Sequence, residues 1–306
     1  METFRTNDGI RISYRKEGAE GPVVVLLHGW SGSHRSYDLN IEEIGKHCQV
    51  YAPDLRFHGD SDKPQWGYHV HRLAADLRDM LLALKLKAVT IVGSSMGASI
   101  IWAYIELYGH DRLARAIFVD QVPLQNNAED WKLGNFSCYD AACVARLQTK
   151  LKLDFRGIAE GTPRDCLTGQ LPDGFEAMLV AETLKTDPDA LGRLMADHTQ
   201  IDWRPLLPRI EIPCLNLIGC KNGVFPPDGT KVVSQLVPRC AKVEFAECNH
   251  WLYMEDPERF NDLVVHFAHR LYSNASNFTG GGDLILKRNL SDASLMVNVA
   301  SDPIGM

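Results

Sequence analysis

The chain has 306 residues, 45% of them hydrophobic and 23% charged, with a formal net charge of −7. That is the ordinary balance of a globular protein with a core of normal size, and one catalytic domain carrying an insertion fits the length. There is no Lys/Arg-rich run, no apolar leader in Met1–Gly18 and no stretch near the ~18 apolar residues that span a bilayer, so neither nucleic acid nor membrane is an expected partner and the expected location is cytoplasmic.

In chain order, Ile10–Tyr14 reads as an opening strand. Val23–Leu27 is a short, wholly apolar run, which suits a strand buried on both faces of a parallel sheet. Val50–Asp54 is the next strand. Leu73, Leu77, Met80, Leu81 and Leu84 then recur at helical spacing and give one apolar stripe. Ala88–Val92 reads as a buried strand, Met96–Tyr108 as a helix and Ala116–Val119 as a further strand. From Pro123 to Leu207 no short apolar strand run appears, while Tyr139–Leu153 and Phe175–Leu184 look helical. We read residues 123–207 as a helical cap inserted into a core formed by residues 1–122 and 208–272. The alternation resumes with strands at Cys214–Ile218 and Val243–Phe245. It closes on a helix with Asp256 at the N-cap, Pro257 at the first position and Phe260, Val264, Phe267 and Leu271 as its buried stripe. Residues 273–306 begin with a Ser/Asn/Gly-rich linker and read as a flexible or docked tail. The eight cysteines are scattered, without C-x-x-C, and read as free, mostly buried thiols. The whole pattern predicts an α/β fold with a mostly parallel, doubly wound sheet covered on both faces. Ligands of such sheets bind outside the carboxyl ends of the strands.

Three loops at that edge carry chemistry. Gly93-Ser94-Ser95-Met96-Gly97 follows a buried strand and opens a helix, the context that G-x-S-x-G requires. Small residues on both flanks let strand and helix pass closely, which raises Ser95 to the top of the sheet beside the free N–H groups of a helix N-terminus. Ser95 is therefore the candidate nucleophile. His28-Gly29-Trp30 follows the strand Val23–Leu27, so the backbone N–H of Trp30 can join that of Met96 as an oxyanion hole. His250, in Glu247-Cys248-Asn249-His250-Trp251, lies between the last strand and the last helix and after Ser95 in chain order, which makes it the candidate general base. No H-E-x-x-H, dinucleotide fingerprint or phosphate loop is present, so neither a metal nor a cofactor is expected.

Residues 8–271 resemble the α/β-hydrolase fold serine hydrolase family, in particular its small-molecule esterase, lactonase and thioesterase branch. The resemblance is carried by Leu27-His28-Gly29-Trp30, by the run from Asp54 to Pro64, by Gly93-Ser94-Ser95-Met96-Gly97 and by Asn249-His250. In most of that family the acid is an Asp that stands three residues after a Gly ending the strand Cys214–Ile218. Here that stretch reads Gly219-Cys220-Lys221-Asn222, so an amide stands where the carboxylate is expected. Other members place the acid after the strand that follows the nucleophile helix, which in this chain is Asp120. Asp120 is the leading candidate, with Asp228 and Asn222 as alternatives. Relatives of this fold that open epoxides or cleave carbon–halogen bonds need an Asp where Ser95 stands.

These residues predict acyl transfer to water on an ester, lactone or thioester of a hydrophobic small molecule, with aromatic residues of the cap, such as Trp131, Phe136 and Trp203, divided between cap core and pocket wall. The pattern also resembles fungal hydrolases of secondary metabolism, including thioesterases that release acyl chains. Two other readings use the same scaffold: a ligand receptor that retains the triad, and a cofactor-free lyase or oxygenase. Fold alone does not separate them.

Overall fold

A computed structural model describes residues 1–269. The linker and tail, together with Leu271 of the expected closing stripe, lie outside the described residues. The elements in order are β1 (Glu2–Arg5), β2 (Arg11–Glu17), β3 (Val23–Leu27), α1 (Ile41–Gly45), β4 (Gln49–Pro53), α2 (Val70–Ala83), β5 (Val89–Ser94), α3 (Met96–Tyr108) and β6 (Leu113–Val119). Four helices follow: α4 (Ala141–Leu153), α5 (Phe155–Cys166), α6 (Phe175–Leu184) and α7 (Pro188–His198). The chain then returns through β7 (Cys214–Gly219), α8 (Pro227–Leu236), β8 (Cys240–Phe245), α9 (Leu252–Glu255) and α10 (Pro257–Ala268).

The eight strands form one sheet in the order β1-β2-β4-β3-β5-β6-β7-β8. The β1–β2 and β2–β4 pairs are antiparallel, and every pair from β4 to β8 is parallel. The apolar runs explain the layering, because successive strand residues point to opposite faces. On one face Val25 and Leu27 of β3, Ile91 of β5 and Phe118 of β6 pack with Leu73 and Leu77 of α2, Ile100 and Ile101 of α3 and Val233 of α8. On the other, Val24, Leu26, Val92 and Ile117 pack with Ile41 and Ile44 of α1 and Phe260, Val264 and Phe267 of α10. A strand buried on both faces needs apolar residues at every position, and that is what makes these runs unbroken. The α10 start is as expected, with the Asp256 side chain accepting the Arg259 N–H at 3.3 Å.

Helices α4 to α7 fall within residues 123–207, and several hydrogen bonds tie that segment to the rest of the chain. The Thr183 hydroxyl of α6 donates to Ser31 O at 3.0 Å, Trp30 Nε1 donates to Leu191 O of α7 at 2.9 Å, and Val70 N of α2 donates to the Asp197 carboxylate at 2.8 Å. Trp203 packs against Trp102 of α3, with ring centroids 6.1 Å apart, inside the first core cluster. All eight cysteines are free, and all but Cys220 are buried. No described helix is long and apolar enough to cross a membrane.

Candidate active site

Strand β3 has β4 on one side and β5 on the other, and the helices that follow β3 and β5 lie on opposite faces of the sheet, the switch point at which doubly wound sheets bind ligands. Ser95 stands there, between β5 and α3, with φ 53° and ψ −120°. A positive φ in a non-glycine residue is sterically costly and has to be imposed by its surroundings. Here the Ser95 N–H donates to Val119 O of β6 at 2.8 Å while the Ser95 carbonyl accepts the Ala98 N–H at 2.8 Å, so strand and helix pull on the same residue. The crossing is close enough to demand the glycines of the motif. A Cβ on Gly97 would lie 2.5 Å from Leu27 O, and one on Gly93 would collide with the Gly97 backbone. Ser95 is half-buried.

The loop after β3 runs alongside. A Cβ on Gly29 would sit 3.2 Å from the Ser95 Cβ, which brings the Gly29–Trp30 backbone beside Ser95. Met96 is the first residue of α3, and a helix leaves its first N–H groups without intrahelical partners. His28 is occupied elsewhere. Its Nδ1–H donates to Gly29 O at 2.8 Å and its Nε2 accepts the Leu55 N–H at 3.0 Å. Burial holds its imidazole down to about 4, against the Gly29 bond, so it is a neutral brace between two loops.

Asp120, one residue beyond β6, and His250, between β8 and α9, are brought together. His250 Nδ1 lies 2.6 Å from Asp120 Oδ2. Donation from Nδ1 fixes the tautomer and leaves Nε2 as the nitrogen able to take a proton. His250 is 4% exposed, and its ring packs nearly perpendicular to that of Phe225, with centroids 5.4 Å apart. Asp120 is fully buried and has φ 53°. Its carboxylate accepts three hydrogen bonds: on Oδ2 from His250 and from Asn222 Nδ2 at 2.6 Å, and on Oδ1 from Gly219 N at 3.1 Å. Burial pushes its carboxyl above the ordinary range, outweighing the opposite pull of His250, Gly219 and Asn222.

The two alternatives to Asp120 make other contacts. Asp228 sits in the first turn of α8, its side chain 80% exposed and paired with Lys231 at 3.4 Å. Asn222 touches Asp120 rather than His250. Two residues that the sequence reading passed over hold the His250 loop. Asn249 Oδ1 accepts the His250 N–H and the Gly223 N–H, each at 2.7 Å, and thereby joins the loops after β8 and β7. Glu255 accepts the Thr168 N–H at 2.6 Å, from the segment after α5, and also binds Asn249 N. Asn249 was visible beside His250, but nothing in sequence spacing reveals a side chain that receives two backbone donors. Among the described residues no group of three or more His, Cys, Asp or Glu could hold a metal ion.

Comparison with known proteins places this site in context. Residues 22–139 match the model of the α/β-hydrolase fold family. A non-heme chloroperoxidase of Kitasatospora aureofaciens is 28% identical over 285 residues, covering 88% of this chain and all of that protein. Among solved structures, an esterase of Exiguobacterium antarcticum superposes with a TM-score of 0.81 at 21% identity, covering 87% of this chain and 98% of its own. An esterase of a Rhodococcus species gives a TM-score of 0.75 at 26% identity, with 87% and 98% covered. Sheet order, the serine turn and these likenesses together show that the chain has the α/β-hydrolase fold.

Proposed function

We propose that this hydrolase cleaves an ester, lactone or thioester of a hydrophobic small molecule through an acyl-enzyme on Ser95. One observation carries the reading: a buried His250–Asp120 hydrogen bond of 2.6 Å at the sheet edge where a half-buried serine is held at positive φ. In the proposed reaction Ser95 Oγ attacks the carbonyl carbon while His250 Nε2 takes its proton. Asp120 keeps the imidazole in the required tautomer and stabilises the cation that forms. The backbone N–H groups of Trp30 and Met96 receive the developing oxyanion, a contribution worth ~10²–10³ in kcat for each donor. His250 then returns the proton to the leaving group, and the same base activates the water that hydrolyses the acyl-enzyme. The surroundings favour an apolar substrate. Phe225 packs with Val122, Leu124 and Trp131 beside the base, and Trp30 with Cys138, Val144 and Met195 of the cap side. The likeness to an esterase at 26% identity supports ester chemistry.

The test is a panel of p-nitrophenyl esters, lactones and acyl thioesters run on the wild type and on Ser95→Ala. Multiple turnover by the wild type, loss of at least about 10³-fold in Ser95→Ala, and fluorophosphonate labelling at Ser95 are expected. Activity in Ser95→Ala within threefold of wild type removes the serine mechanism. A single-turnover burst without multiple turnover points to the receptor reading, and turnover with no trappable acyl-enzyme to the lyase or oxygenase reading.

A further inference from the structure

Asn222 occupies the place where most of the family is expected to carry its acid, yet it is bound into the site at both ends of its side chain. Its Oδ1 accepts the Val224 N–H at 2.9 Å and the Phe225 N–H at 3.0 Å. Two backbone donors on one end of the amide fix which end is oxygen, so the NH₂ end must face Asp120. It donates to Asp120 Oδ2 at 2.6 Å, the same oxygen that receives His250, and the residue is 9% exposed.

We propose that Asn222 is a positioning residue of this site, whose amide clamps the Asp120 carboxylate in the ionised, correctly turned state in which it holds His250. An amide is required here because the acid is on β6. A carboxylate at 222 would face Asp120 Oδ2 directly, and two carboxylates at that range cannot both ionise freely. Moving the acid from the β7 loop to the β6 loop therefore removes the carboxylate from the first and leaves a donor in its place. The backbone half and the donor half of Asn222 are separable. Asn222→Asp retains an oxygen for the Val224 and Phe225 amides and loses only the donor, whereas Asn222→Ala loses both. The other titratable groups close to Asp120 are the thiols of Cys166, at the end of α5, and Cys220, after β7, with Asp165 and Glu255 flanking Cys166. Burial raises both thiols above their ordinary range, so they remain neutral while a carboxylate titrates.

The kinetic part of the test rests on the serine-hydrolase reading; the spectroscopic part does not. Loss of a hydrogen bond to a charged group predicts a fall of about 10–100-fold in kcat for Asn222→Ala, with KM changing less than about threefold. Removing a donor that favours the carboxylate also moves the acid limb of kcat/KM to higher pH. In Asn222→Asp the two carboxylates share one proton, and activity gains a descending limb as pH rises through its loss. The low-field proton resonance of the His250–Asp120 bond should shift in both variants. Wild-type pH profiles and an unmoved resonance, with any loss of rate following a loss in Tm, overturn the proposal and reduce Asn222 to a loop tie. A shifted resonance in a protein whose Ser95→Ala variant keeps full activity leaves the clamp standing and defeats the serine reading instead.

Discussion

Two buried His–Asp pairs stand at the carboxyl edge of this sheet. His250 Nδ1 meets Asp120 at 2.6 Å, and His34 Nδ1 meets Asp54, the residue after β4, at 2.8 Å. Both aspartates are wholly buried, yet their environments act in opposite directions. At Asp120 burial prevails over the donors and raises the carboxyl. At Asp54 burial pulls the same way, but His34 together with the His34 and Asp60 backbone amides outweighs it and holds the carboxyl below its ordinary range. The Asp54 partners are largely backbone: His34 N at 2.7 Å and Asp60 N at 2.8 Å, from loops on either side of it. Such an aspartate knots two loops together. Asp120 instead takes two side-chain donors, from the loops after β7 and β8. A His–Asp contact is therefore no signature of catalysis by itself; what sets the Asp120 pair apart in place is that Asp120 follows Val119, whose carbonyl holds the N–H of Ser95 at positive φ.

The largest effect expected from this contrast is at Asp120. Asp120→Asn should lower kcat by ~10³–10⁴. Both carboxylate oxygens face donors, Gly219 N on one side and His250 with Asn222 on the other. Whichever way an amide turns, its NH₂ points at an N–H, so the isosteric change cannot be silent. Melting curves measured beside the kinetics separate loss of chemistry from loss of fold. Near-normal kcat in Asp120→Asn, together with a collapse in Asp228→Asn, would transfer the acid to the β7 loop.

The difference between these two pairs also marks how far the sequence could be read. The turn that carries Ser95 and the loop that carries His250 were legible because each signal is local: a strand, a tight turn and a helix for one, a loop between the last strand and helix for the other. The partner of His250 was harder to read, because β6 and β7 are neighbours and their loops open on the same space, so spacing alone left Asp120, Asn222 and Asp228 in competition. The donor role of Asn222 depends on the Val224 and Phe225 amides, a contact no pattern encodes. In the fold, the two-faced strands β3 and β5 were plain from their apolar runs. Strand β1 was missed because Glu-Thr-Phe-Arg buries only Phe4 and gains its identity from pairing with β2. Helix α5 was missed because Gly157, Gly161 and Pro163 read as breakers, whereas the Asp154 cap on Gly157 N and the surrounding cap helices sustain it. Helix α7 begins Asp187-Pro188, the same signal that correctly announced α10 at Asp256-Pro257, and could have been found by it.

A second way to sharpen the comparison is to lower the pH, which should loosen the Asp54 side first. His28 and His58, whose rings lie 5.0 Å apart, brace that side as neutral groups. Burial pushes His28 down to about 4 and His58 to about 3, from an ordinary 6.5. Because the folded values lie below the unfolded one, the stability is complete above about 6.5 and drains as pH falls toward 4. Each histidine contributes a slope of about 1.4 kcal/mol per pH unit across that window. Buried His198 of α7, held to about 4 by the same cause, adds to it. Urea titrations at steps from pH 7 to 4 should show this fall. A flat profile would mean that the histidines are not held neutral.

The smallest effect is expected from Asp54→Asn, and it is the counterpart of the Asp120 change. If Asp54 is only a knot, the variant loses stability and little chemistry. An amide at 54 leaves one of the donors, His34 N, His34 Nδ1 or Asp60 N, facing an N–H, and an unsatisfied buried donor costs about 1–3 kcal/mol. The Ser61 hydroxyl, which donates to Asp54 O at 2.7 Å, keeps its backbone partner, so part of the loop survives. In protein that remains folded, kcat should stay within about tenfold of wild type, against the ~10³–10⁴ expected at Asp120. The distinction is measurable even if the variant is fragile, because kcat per folded molecule can be read at low temperature with the folded fraction taken from the melt. A loss of kcat equal to that of Asp120→Asn, at unchanged Tm, would show that the His34–Asp54 pair also acts in the chemistry, and the contrast between the two pairs would then fail.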